Sequence, residues 1–416
     1  MKKSYLMIAA AAALFAACSS NDTVKEAADT TGPKIDFATF TQKATRATEN
    51  SGESYSLKLE DHHNAFKVWG FKNTSADAVF YNEAVTHQAD PEGWTYVNNR
   101  YWDKNATDYY FYACAPSSET TPFVFNGVST AKTDAAAIAA SKASQSKGYF
   151  TIPTAYSAVG ENVSTYTKST DNPKVASATK VESWTAAGAA TDVDLMIAAE
   201  CHLSGSALTT AYTNPVQLNF IHILSRLNIT VKTVADKGFY PGTTTGDKII
   251  VNNITVGHMN NSGTFNENTT LGEGVLAGGT YLRWTTTGDY NYSYDLNYYA
   301  DQNAKYVIET LMLPQVLETE TITPDGTEVV ADNETKPYLY INYSIKNNAE
   351  NAGQTYEAYY NLATILTKTN TADASNTAFN EGWVNTINIT ISPDKIDFDA
   401  NVAEWDDNKT NDLNIY

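Results

Sequence analysis

The 416-residue chain sets 47 acidic against 28 basic side chains, a formal net charge of −19, and only 18% of its residues are charged. No basic patch or tail interrupts that acidity, which argues against nucleic acid as a partner and fits an extracellular surface. The length admits two domains.

The chain opens MKKSYLMIAAAAALFAACSS. Two lysines precede an apolar run from Tyr5 to Ala17, the pattern of a secretory signal peptide over residues 1–17. Cys18 directly after Ala16 and Ala17 is a lipobox arrangement, with Phe15 where leucine is commoner, and it marks Cys18 for lipidation. The plainer alternative is a secreted protein in which Cys18 is incidental. Residues 19–34 are small and polar and read as a tether. IDFATF then places Ile35, Phe37 and Thr39 on one side and Asp36, Ala38 and Phe40 on the other, a short strand with one apolar face.

Next comes QKATRATENS, Gln42 to Ser51. The chain has four arginines, and Arg100, Arg226 and Arg283 lie in apolar or aromatic runs that read as strands or strand ends. Arg46 alone stands among small polar residues. It reads either as a solvated linker charge or as the processing site of an arginine-specific protease.

Beyond it the chain is a succession of short alternating runs separated by Asn, Gly, Asp and Pro, which argues an all-β sandwich architecture. AFKVWGF (Ala65–Phe71) alternates as a strand, and WTYVNNRYWD has the chemistry of a hairpin around Asn98 and Asn99. DYYFYACAP reads as a strand buried on both faces and stopped by Pro116. Thr133 to Ser144 is the best helical candidate, as a loop excursion. Pro215 to Thr233 is long enough for two strands or one bent strand, and Ala235 to Asp247 is the clearest interior break. These breaks divide the chain into a signal peptide (1–17), a leader (18–46), a first sandwich (47–235) and a second (236–416). Cys114 and Cys201 stand equally as a disulfide and as two buried thiols.

KIDF occurs twice, at Lys34–Phe37 and at Lys395–Phe398. Each copy begins an alternating segment, the second carrying Ile396, Phe398, Ala400 and Val402. Segments with the same alternation can occupy the same groove, because backbone pairing is indifferent to sequence.

The lipobox at Cys18, IDFATF before TRA, FKVWGF, YWDKNATDYYFYACAP, DLMIAAE, VQLNFIHILSRLNITV, ITVGHMNNSGTF and INITISPDKIDFDANVAEW come in an order that resembles the fimbrillins, the subunits of type V pili. The resemblance covers nearly the whole chain. It implies two tandem transthyretin-like β-sandwich domains and export to the outer membrane as a lipoprotein anchored through Cys18. It further implies cleavage between Arg46 and Ala47 by an arginine-specific protease, with loss of the strand around Ile35 to Thr41. A strand within Lys395 to Tyr416 of another pilin subunit would refill the groove, giving a head-to-tail homopolymer or a mixed pilus at the cell surface, with a host or bacterial surface ligand as a further partner. Only eleven residues, mostly polar, lie beyond Trp405, so the donor overlaps IDFDANV or the subunit is a tip or anchor rather than a stalk protein.

No nucleophile elbow, H-E-x-x-H helix or C-x-x-C pair is present, so no catalytic residue, cofactor or metal site is expected. Asp61, His62 and His63, and the trio Glu200, Cys201 and His202, read as loop and strand residues rather than ligands. His222 reads as a satisfied histidine near the core. The competing functional reading is a surface lipoprotein, anchored at Cys18 and uncleaved at Arg46, whose tyrosines and tryptophans bind carbohydrate.

Overall fold

The computed structural model describes residues 32–41, 59–61, 63–73, 77–117, 122–126, 148–156, 193–234, 248–267, 283–300, 302, 304–317, 336–346, 354–369, 378–392 and 396–404. The fold is all-β and sandwich-like. In DYYFYACA the side chains of Tyr109, Phe111 and Ala113 alternate with those of Tyr112 and Cys114, and both series are buried. A strand with two apolar faces must lie between two cores. It does: the first series joins one hydrophobic cluster and the second joins another.

This strand, β5 (Asp108–Ala115), is central in a seven-stranded sheet. The others are β1 (Phe37–Thr41), β2 (Ala65–Lys72), β3 (Asp77–Ala89), β4 (Glu92–Tyr96), β8 (Met196–Ser204) and β9 (Val216–His222), in the order β1-β9-β8-β5-β2-β3-β4. Neighbours run antiparallel except β1 and β9, which are parallel. The sheet curls until its two edges meet, since Phe37 on β1 lies 6.0 Å from Tyr96 on β4. The N-terminal core fills the inside of that curl, with Phe66, Val68, Phe80, Phe111, Leu218 and Phe220 among its members.

On the outer face lies a four-stranded sheet ordered β13-β12-β7-β6, from β6 (Val124–Asn126), β7 (Tyr149–Tyr156), β12 (Ser262–Asn266) and β13 (Trp284–Thr287). Phe125 stacks at 5.2 Å on Trp69 and at 5.9 Å on Phe71. The backbone pairing of Phe265 with Ile152 joins strands from the two halves of the chain in this one sheet.

Pro215 to Thr233 makes two strands, β9 and β10 (Ser225–Thr233), and they belong to different sheets. Sheet membership changes between His222 and Ser225; residues 235–247 lie outside the described set. β10 is the second strand of β15-β10-β20-β21, built with β15 (Lys305–Met312), β20 (Trp383–Ile391) and β21 (Ile396–Glu404). A further sheet, β14-β11-β17-β18, comprises β11 (Lys248–Met259), β14 (Tyr290–Tyr299), β17 (Tyr338–Lys346) and β18 (Gln354–Asn361). Leu227, Ile229 and Val231 of β10, Ile387 and Ile389 of β20, and Leu339 and Ile341 of β17 meet in the larger core. Two short helices, α1 (Gly205–Ala211) and α2 (Leu362–Thr369), complete the described elements with β16 (Gln315–Val316), β19 (Ala378–Phe379) and a 3-10 turn at Leu59–Asp61.

One sequence expectation changes here, and one open alternative is decided. WTYVNNRYWD is not a hairpin: after β4 the chain turns with Asn98 at φ 63°, and Tyr101 bridges to Lys34 instead of pairing back. Cys114 and Cys201 are both free thiols, on neighbouring strands but out of register, with Cys201 opposite Phe111 and Cys114 opposite Ile197. The helical candidate Thr133–Ser144 lies outside the described residues.

Candidate functional site

β1 is an edge strand with one ladder, to β9, in the register Phe37–Val216, Thr39–Leu218 and Thr41–Phe220. Its alternation puts Phe37, Thr39 and Thr41 inward, each 5% exposed or less, while Ala38 and Phe40 are half-buried. Ile35, just ahead of it, is fully buried. The Phe37 ring meets Phe80 at 5.3 Å, Phe111 at 5.9 Å, and Phe66 and Tyr96 at 6.0 Å, all edge-on or nearly so. Without β1, that aromatic slot and the backbone edge of β9 would be bare.

The entry to the strand is held mostly through backbone groups. The Ile35 amide donates to the Arg100 carbonyl at 2.9 Å, the Trp102 amide to the Pro33 carbonyl at 3.0 Å, and the Val216 amide to the Asp36 carbonyl at 2.7 Å. The Tyr96 hydroxyl donates to the Ile35 carbonyl at 2.6 Å. Burial pushes that hydroxyl up to about 12, so it stays protonated and remains a donor across the ordinary pH range. A side chain at Gly32 would put its Cβ 2.1 Å from the Trp102 carbonyl oxygen, so the close approach of the two segments requires glycine. Lys34 pairs with Asp36 at 2.9 Å and lies 5.2 Å from the centre of the Tyr96 ring.

One feature of the inward face is unfavourable. The Thr39 and Thr41 hydroxyl oxygens are buried and make no hydrogen bond among the described residues. A buried hydroxyl without a partner costs on the order of 1–3 kcal/mol.

Arg100 shapes this end of the slot. Its Nε donates to the Val79 carbonyl at 3.1 Å and its guanidinium lies 3.8 Å from Glu83. Burial raises the Glu83 carboxyl above its ordinary value, with Arg100 opposing that shift. Arg226 and Arg283 are also paired, with Glu309 at 3.0 Å and Glu381 at 2.7 Å. Arg46, Ala47 and Cys18 lie outside the described residues.

The other KIDF copy begins β21, an edge strand antiparallel to β20 in the register Ile396–Ile391, Phe398–Ile389, Ala400–Ile387 and Val402–Asn385. Phe398 is partly buried, with its ring 4.3 Å from Tyr360. The structure thus gives Ile35, Phe37 and Thr39 one edge of the molecule and Ile396, Phe398, Ala400 and Val402 another, without bringing the two sets together.

The remaining chemistry-bearing groups serve the fold. His222 pairs with Asp194 at 2.8 Å and is buried. Glu200 and His202 share a face, the Glu200 carboxylate accepting from the Tyr112 hydroxyl and His202 stacking on Tyr110 and meeting Asp108 at 2.9 Å, whereas Cys201 packs against the other cluster, so the trio splits between faces. Glu60, His87 and Glu92 bring possible ligand atoms within 4.8 Å of one another, and with Glu92 exposed these three donors fall short, among the described residues, of the closed four-ligand cage of a structural zinc site. His62 lies outside the described residues. Sequence reasoning missed Tyr96, Arg100 and Trp102; the expected hairpin had assigned them to local pairing.

Fold and site together define an all-β sandwich protein whose N-terminal segment plugs the edge of its own first sheet. No protein-family model matches the chain, and no curated protein matches its sequence. Among solved structures it is similar to a fimbrial protein from Bacteroides vulgatus, at 16% identity, 90% coverage of this chain, 100% of that one and a TM-score of 0.47. It is also similar to a candidate cell adhesion protein from Bacteroides uniformis, at 13% identity, 90% and 98% coverage and a TM-score of 0.43. A third is the tip fimbrial protein Mfa3 from Porphyromonas gingivalis, solved with a C-terminal truncation, at 10% identity, 83% and 96% coverage and 0.35. The values are too low for any residue's role to be transferred, and none is.

Proposed function

We propose that the chain is a structural subunit of a type V pilus, a fimbrial subunit that supports adhesion at the cell surface. On this reading it is exported as an outer-membrane lipoprotein through Cys18. An arginine-specific protease cleaves it after Arg46, and it polymerises when a strand of another subunit takes the place of β1. It acts without catalysis.

The observation that carries the reading is the construction of β1: an edge strand with a single parallel ladder, whose Phe37 fills an aromatic slot and whose chain runs on within a few residues to Arg46. A segment held by one ladder and backbone contacts can be replaced by another strand, and the exposed edge and apolar slot favour strand addition once it leaves. A contact between different surfaces of successive copies does not close on itself, so it builds a filament.

The test is intact mass and N-terminal sequencing of protein recovered from its native cell surface, beside an Arg46→Ala variant. The expected result is a mature N-terminus at Ala47 in high-mass ladders that the variant does not form. A lipidated Cys18 on a monomer in both samples overturns the polymer reading and leaves an anchor subunit or a carbohydrate-binding surface lipoprotein.

A further inference from the structure

The leader strand and the C-terminal strand begin with the same four residues, and their continuations differ in a way the groove can sense. Written from the shared lysine, the leader reads KIDFATFT (Lys34–Thr41) and the C-terminal segment KIDFDANV (Lys395–Val402). With the KIDF quartets superposed, Thr39 corresponds to Ala400 and Thr41 to Val402. Those two threonines carry the buried hydroxyls that find no partner in the slot. The other two positions, Ala38 and Phe40, lie on the half-buried outer side and correspond to Asp399 and Asn401.

We propose that the buried hydroxyls of Thr39 and Thr41 make the leader a poor occupant of its own groove, one outcompeted by a strand with apolar side chains at those two positions in the same parallel register; the β21 segment, the donor already implied by the resemblance, is such a strand. Phe398, Ala400 and Val402 then oppose Val216, Leu218 and Phe220, the present partners of Phe37, Thr39 and Thr41. The inference rests on the strand-exchange reading above and adds to it a register and a reason for direction.

The physical basis is the asymmetry of buried polar groups. A hydroxyl taken from water without a replacement bond is penalised, whereas a methyl in the same place is rewarded. The contacts that hold the leader's KIDF in the groove fall on backbone groups, so the second copy of the quartet can make them too. Three are backbone hydrogen bonds, at the Ile35 amide and the Pro33 and Asp36 carbonyls, and one runs from Tyr96 to a carbonyl. Pro393 stands two residues before Lys395 rather than one before, so the Trp102 contact falls on the carbonyl of Asp394. Ile and Phe fill the same recesses in either case. On the inward face, discrimination therefore falls on the two later positions, while the half-buried outer Ala38 and Phe40 give way to Asp399 and Asn401. β21 is itself an edge strand with one ladder, so it can leave its own sheet without opening a second one.

The experiment uses the full precursor cut after Arg46, with the leader still seated, and measures by mass spectrometry the release of that leader by synthetic peptides. The peptides span residues 32–41, the same peptide with Thr39→Val and Thr41→Val, and residues 393–404. The expected result is release by the 393–404 peptide at a concentration about tenfold or more below that needed by the 32–41 peptide, with the doubly substituted leader closing most of the gap. A substituted leader no better than the natural one overturns the role of the hydroxyls while strand exchange stands. A substituted leader that gains, with a 393–404 peptide that releases nothing, overturns the assignment of β21 as partner. No release by any peptide overturns the exchange reading itself.

Discussion

The two KIDF segments occupy opposite kinds of edge. In β1 the phenylalanine is 4% exposed and surrounded by four aromatic rings, and the strand runs parallel to its neighbour. In β21 the same residue type is partly buried against Tyr360 and the strand runs antiparallel to β20. Identical side chains therefore anchor one edge deeply and the other lightly. The difference lies in what the rest of the molecule provides: a curled seven-stranded sheet makes a slot at β1, and the flank of α2 and β18 makes a surface at β21. On the exchange reading this asymmetry is useful, since the deep slot is the acceptor and the lightly held strand is the donor.

The most forceful way to break the comparison is to truncate each phenylalanine. Phe37→Ala removes a ring from a filled slot and should cost about 3–5 kcal/mol of precursor stability in denaturant unfolding. Phe398→Ala removes a half-buried ring and should cost less than half as much, roughly 1–2 kcal/mol. Equal losses would mean that the two edges grip alike and that the acceptor–donor asymmetry is absent.

Much of this was open to reading in the residues. The inward face of IDFATF, the two apolar faces of DYYFYACAP and the two strands within Pro215–Thr233 all arise from period-two alternation. What alternation cannot convey is partnership. Asn98 and Asn99 carry turn chemistry, yet Tyr101 and Trp102 are taken by Lys34 and Pro33 from a segment far upstream, so a local hairpin loses to tertiary contacts. The sheet that joins β7 to β12 depends on a pairing between Ile152 and Phe265, and nothing in either run distinguishes its partner from any other strand of the same pattern. The orphaned hydroxyls were invisible for the same reason. Thr39 reads simply as an inward residue until the walls around it are known to lack a polar group that reaches it.

A smaller perturbation sharpens the comparison without touching a core side chain. Tyr96→Phe keeps the ring against Phe37 and removes the hydroxyl that donates to the Ile35 carbonyl. The expected loss is about 0.5–1.5 kcal/mol, seen as a several-fold faster release of the leader after cleavage at Arg46. Release at the unaltered rate would show that the Tyr96 hydroxyl does not help to hold the leader.

The smallest effect at neutral pH concerns the layer that couples the two regions. Glu267, at the end of β12, accepts from the Phe150 amide at 2.8 Å and so ties the C-terminal half to β7, which lies over the first sheet. Burial raises its carboxyl above 4.5, with the Phe150 amide and Arg283 opposing the shift. The folded chain thus retains a proton that the unfolded chain releases. That contribution is fully present below the unfolded value near 4.5 and is lost as pH rises through the folded value. Glu267→Gln keeps an acceptor for Phe150 and removes the titration, so the thermal midpoint of the variant should decline less steeply than the parent's as pH rises from 4.5. Parallel pH profiles for the two proteins would assign the slope elsewhere, first to Glu381, whose buried carboxyl is raised for the same reason beside Arg283. Because Glu267 bridges the halves while Phe37 and Phe398 each belong to one, its variant should move the unfolding of both ends together.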